Sequence, residues 1–96
     1  MQNKEIYTQT ELANKCNIPE STIRKRCSDF GEYFSPIRQN NNVFYSKYDY
    51  YKMVFIQGLR KTSPTLSKFD IAKKLEEFCE DLETLVLIDK IIKKNL

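Results

Sequence analysis

The stretch Leu12–Cys27, LANKCNIPESTIRKRC, decides the fold. Leu12 and Cys16 share a helical face at a spacing of four, and Ala13 is small enough to let another helix cross closely. Asn17 ends that helix, because after glycine it is asparagine that best tolerates the left-handed conformation of a tight stop. Pro19 suits the first turn of a second helix, where its missing N–H costs nothing. Steps of about 100° per residue then put Ile23 and Cys27 on a buried stripe, closed at its ends by Ile18 and Phe30. The opposite face carries Ser21, Thr22, Lys25 and Ser28, with Arg24 and Arg26 flanking it. Two short helices joined at a tight turn, the second loaded with cations, predict a rod shaped for double-stranded DNA. Guanidinium forks clamp phosphates while short hydroxyls and Lys25 face the bases. A basic face that is merely solvated uses the same residue types.

Upstream, Thr8-Gln9-Thr10-Glu11 is a capping-box pattern that starts the first helix at about Gln9 and carries it to Cys16. Thr8 and the N–H groups beside it form a candidate phosphate contact, although capping explains the threonine equally well. Downstream, Phe34-Ser-Pro-Ile-Arg and Val43-Phe-Tyr are two strand-forming runs separated by Gln39, Asn40, Asn41 and Asn42. Asparagine accepts positive φ, so residues 37–45 are predicted to form a β-hairpin with a polar tip. Arg38, Gln39, Asn40, Asn41 and Asn42 are its candidate DNA contacts, since amide side chains pair with adenine edges or phosphates. Tyr45 and Lys47, at the hairpin exit, are candidate phosphate contacts. An ordinary surface hairpin would need the same asparagines for its turn alone.

Ser46-Lys47-Tyr48-Asp49 is a second cap signal, opening a helix from about Lys47 to Arg60 with Tyr51, Val54, Phe55 and Leu59 on its apolar face. Lys61–Pro64 breaks it, and Thr65 or Ser67 starts another. In that last helix Ile71, Leu75, Phe78, Leu82, Leu85, Ile92 and Leu96 follow alternating steps of four and three, interrupted by Asp89. Residues Leu85 to Ile88 are apolar on every side. At about 25 cal/mol per Å² of apolar area, leaving several such side chains wet would forfeit several kcal/mol. A second copy covering Phe78, Leu82, Leu85, Ile88 and Ile92 is the simplest remedy. The competing arrangement is a bend near Asp81 that folds the helix back on its own core.

The length of 96 residues suits one body: a DNA-binding part over 1–64 and a C-terminal, dimerising helix over 65–96. Net charge is only +3, yet residues 1–61 hold ten Lys/Arg against six Asp/Glu while 62–96 hold six against seven. The basic excess therefore lies in the first part, which suggests a DNA-facing body and a protein-facing tail. No apolar run approaches bilayer length and no signal-peptide core opens the chain, so a cytoplasmic, nucleoid- or plasmid-associated protein is expected. Cys16, Cys27 and Cys79 are odd in number and lack a CxxC pair, so no disulfide framework, metal or other cofactor is indicated. With no histidine, two glycines and no phosphate loop, catalysis is not expected. The AT-rich codons implied by abundant Asn, Lys, Ile and Tyr hint at a low-GC bacterium, its plasmids or its phages.

The predicted fold is mainly α with a small β-hairpin. Its order resembles the winged helix-turn-helix domain of MerR-type regulators and their bacterial relatives. The carriers are YTQTELANKCNIPESTIRKRC, the FSPIR to VFYSKYD hairpin, and LRKTSPTLSKFDIAKKL. The resemblance covers about residues 6 to 75. It implies a homodimer on double-stranded DNA, with the second helix (19–29) in the major groove, the wing on adjacent backbone or minor groove, and a C-terminal helix joining protomers. Asn17 and Pro19 stand where that family more often has glycine and a hydroxyl cap, and no ligand-sensing domain or metal-binding cysteine loop follows. Relatives of that shorter kind point to a transcription regulator or an accessory factor for plasmid transfer, partition or recombination, with other DNA-processing or segregation proteins as further partners. The alternative is a winged-helix interaction module that docks an acidic protein.

Overall fold

The computed structural model describes residues 6–95, with side chains through Lys94. The chain runs β1 (Ile6–Thr8), α1 (Gln9–Cys16), α2 (Glu20–Asp29), a 3-10 turn (Gly31–Tyr33), β2 (Ile37–Gln39), β3 (Asn42–Ser46), α3 (Lys47–Thr62) and α4 (Lys68–Asn95). It is mainly helical, with one small antiparallel sheet.

Local chemistry sets most boundaries. The Thr8 hydroxyl accepts the Glu11 N–H, and the Glu11 carboxylate accepts the Thr8 N–H, a complete capping box on α1. Asn17 closes α1 in the left-handed region at φ 57°, ψ 46°, its N–H directed at the Ala13 and Asn14 carbonyls. Pro19 is the residue before α2 rather than part of its first turn. It is extended at φ −65°, ψ 153°, and its carbonyl accepts the N–H groups of Thr22 and Ile23 in the first turn of the helix. Ser46 caps α3 by accepting the Asp49 N–H, and the Ser67 hydroxyl accepts that of Asp70 as α4 begins.

The sheet has three strands in the order β1-β3-β2, both pairings antiparallel. Gln39 pairs with Asn42, leaving a two-residue loop in which Asn40 and Asn41 take φ 49° and 68°. Positive φ at both central residues matches the right-handed twist of the flanking strands, which is why asparagines occupy the tip. The first hairpin strand begins at Ile37, because Pro36 before it has no N–H to donate and Phe34 turns into the core.

One core joins the elements. Leu12, Ile23, Phe30, Met53, Ile56, Ile71 and Leu75 are fully buried, with Tyr7, Cys16, Phe34 and Tyr45 around them. Because Ile71 and Leu75 belong to this cluster, the first half of α4 is part of the same body as residues below 64. Burying each contributes about 2 kcal/mol.

The helix α4 is continuous from Lys68 to Asn95, so it does not break at Asp81 and fold back on the core. Its inward stripe runs Ile71, Leu75, Phe78, Leu82, Val86 and Asp89, steps of four and three that depart from the expected seam after Leu82. Of the expected dimer residues, Leu82 is therefore covered within the chain and Phe78 is half-buried. Leu82 is 4% exposed, and Phe78 stacks on Phe55 with ring centroids 4.4 Å apart and planes at 5°. Leu85, Ile88 and Ile92 are instead 50%, 44% and 48% exposed, and Leu87 and Ile91 are exposed beside them. Leu96, the last residue of the expected seam, lies outside the described residues.

Candidate nucleic-acid interface

Two polar relays fix α2 on the body. At its start, Gln9 Nε2 donates to Glu20 Oε1 at 3.1 Å, while the Tyr45 hydroxyl donates to Gln9 Oε1 at 3.5 Å. Toward its end, Arg26 Nη1 donates to Gln57 Oε1 at 3.4 Å, and Gln57 Nε2 donates to the Cys16 carbonyl at 3.1 Å. The second relay ties α1, α2 and α3 together and satisfies a carbonyl at the end of α1 that has no partner within its own helix. Between the relays Ile23 is buried, so the rotation of α2 about its axis is set from both ends and the middle.

That rotation decides which side chains meet solvent. Ser21, Arg24, Lys25 and Ser28 are exposed and Thr22 is half-buried. Lys25 Nζ lies 3.5 Å from Asp29 one turn later, and Asp29 is shared with Lys68 at 3.2 Å. Lys68, and then Lys25, hold the Asp29 carboxyl below its ordinary range. Arg26 does not flank the outer face as expected. It is half-buried against Gln57, and burial together with nearby Arg60 draws its pKa down. The spacing of α2 put Arg26 at the border of the polar face; the Gln57 acceptor on α3 pulled it inward.

The hairpin presents the second cluster. Arg38, Gln39, Asn40, Asn41 and Asn42 are all exposed and, with Val43, line a shallow cavity of about 380 Å³. The two residues at its exit are placed differently from expectation. Tyr45 is 3% exposed, a core ring whose hydroxyl serves the Gln9 relay, and burial beside Cys27 pushes its pKa up to about 12. It alternates inward because β3 is central in the sheet and covered on that face by the helices. Lys47 Nζ lies 3.7 Å from Asp89 and 5.2 Å above the Tyr48 ring, so its ammonium is directed toward α4. The Thr8 oxygen is engaged in capping α1.

Gln9, Glu20 and Gln57 are the positioning residues that sequence reasoning missed. Gln57 had a visible signal, a lone amide one turn beyond buried Met53 inside an apolar helix; Gln9 had none, since it lies within a capping box that accounted for its neighbours. The three thiols are free, Cys16 buried and Cys27 and Cys79 half-buried, and burial raises the pKa of each, which disfavours the thiolate. Among the described residues no helix is long and apolar enough to cross a membrane. Compared with protein-family models, curated proteins and solved structures, the chain finds no match.

Proposed function

We propose that this protein is a site-specific double-stranded DNA-binding protein that works as a homodimer. In this reading α1 and α2 form the helix-turn-helix, α2 lies in the major groove, and the β2–β3 hairpin is the wing. The observation that carries it is the double anchoring of α2, which turns Ser21, Arg24, Lys25 and Ser28 outward as a set while Ile23, Glu20 and Arg26 hold the helix from behind. A rigid element with cations and short donors on its free face suits base reading, which requires side chains held in register with the groove. Arg38 and the amides at the hairpin tip add a second set of phosphate and minor-groove donors.

The dimer rests on α4. Leu85, Leu87, Ile88, Ile91 and Ile92 are exposed together, a concentration of apolar surface that a second chain would cover. The charges of the helix support an antiparallel pairing. Glu76, Glu77, Glu80, Asp81 and Glu83 precede the apolar block, and Lys90, Lys93 and Lys94 follow its start. Crossing two copies near Val86 sets the lysines of each against the acids of the other. Such a protein acts in the cytoplasm on chromosome or plasmid, regulating transcription or assisting plasmid transfer, partition or recombination. Selection from a pool of random duplexes tests the reading: enrichment of a motif with two related half-sites supports it, and the absence of any enriched sequence contradicts it.

A further inference from the structure

Asp89 is the only acid between Leu85 and Lys94, and it interrupts an otherwise apolar and basic run. Its Oδ2 accepts the Tyr48 hydroxyl at 2.9 Å and lies 3.7 Å from Lys47 Nζ. Both partners belong to the first turn of α3, which follows β3 directly, with Ser46 serving as the last strand residue and the helix cap. Around this contact, a cavity of about 300 Å³ lined by Ile6, Ser46, Val86, Lys90 and Lys93 opens between the base of the sheet and α4. Packing there is loose, whereas the polar contact is directional. An apolar side chain at 89 would tolerate rotation of the helix, but a carboxylate turned away from Tyr48 and Lys47 loses a charge-assisted hydrogen bond.

We propose that Asp89 is a positioning residue which, through Tyr48 and Lys47, latches the distal half of α4 to the base of the hairpin. The latch holds the distal half of α4 in the rotation that buried Ile71, Leu75 and Leu82 set, so that Leu85, Ile88 and Ile92 stay turned away from the body. It also makes the hairpin and the exposed apolar face one rigid unit, so that a partner bound to that face inherits a set angle to the hairpin. Asp89 is thus not a flaw in an apolar seam but the residue that ties the body-facing stripe down beyond Leu82.

Hydrogen exchange on the full chain, followed residue by residue in the wild type, D89A, D89N, Y48F and the Y48F/D89A pair, tests this without any nucleic acid, so it is readable whether or not DNA binds. In D89A, exchange should rise about tenfold across residues 85–94 and also at Phe44 to Ser46 of β3, the size expected when one charge-assisted hydrogen bond is lost. D89N keeps an acceptor oxygen for Tyr48 and should restore most of that protection, while adding Y48F to D89A should change nothing further. The proposal is overturned if β3 protection in D89A equals that of the wild type, if D89N behaves as D89A, or if the two substitutions act additively.

Discussion

Asn17 shows how far a single residue specifies structure. At φ 57° it occupies a region where a β-carbon costs about 1–2 kcal/mol unless the side chain is asparagine-like or absent. Replacing it with alanine should lower unfolding stability by about 1 kcal/mol, whereas glycine should leave it nearly unchanged, as urea denaturation would show. Asp49 was not legible in the same way, because its surroundings come from three separate segments. It is 1% exposed, accepts the Ser35 N–H at 3.3 Å and lies 3.6 Å from Lys52, which itself donates to the Tyr33 carbonyl at 2.6 Å. Burial raises the carboxyl pKa despite Lys52. A raised carboxyl pKa means that the Asp49 contribution is full below the unfolded value of about 4 and is lost as pH rises through the folded value. Asparagine imitates the protonated acid, so D49N should compare more favourably with the wild type at about pH 7 than at about pH 4 in denaturation curves; a difference of the opposite sign would place the ionised form as the stabilised one.

Elements were readable wherever caps and turn chemistry declared them. The limits of α1 follow from the Thr8 box and Asn17, and the hairpin tip from two asparagines at positive φ. By contrast β1 has only three residues, too few for an alternating pattern, and exists because β3 offers it an edge. The roles of Tyr45 and Arg26 were misplaced for a related reason: periodicity reports the face of a side chain but not the partner that turns it. In binding, the two exposed clusters make separable predictions. Replacing Arg24 or Lys25 with alanine should cost about 1–3 kcal/mol of DNA affinity and relax sequence preference, as measured by anisotropy on matched and scrambled duplexes. Replacing Arg26 should act differently, lowering thermal stability first, since its guanidinium supports Gln57 rather than solvent. If changes at Arg38 and Asn41 do more harm than those at Lys25, the wing rather than the helix dominates recognition.

For the whole molecule, an imbalance of charge is coupled to an imbalance of hydrophobic surface. Basic excess is concentrated before residue 62, while uncovered leucine and isoleucine are concentrated after residue 84. The sequence exposed this division but placed Leu82 on the outer seam, because the seam facing the body and the seam facing outward diverge only after Leu82, where α3 supplies Tyr48 as a partner for Asp89. Ile88→Glu should leave the circular dichroism spectrum unchanged, since Ile88 is not in the core, but should halve the mass seen by sedimentation. The central claim is tested most directly by the salt dependence of duplex binding, read by fluorescence anisotropy on the intact protein. With Arg24 and Arg38 clamping phosphates on each of two protomers, the log–log slope should be about −4. No binding to any duplex in dilute buffer, or an affinity indifferent to salt, would contradict it.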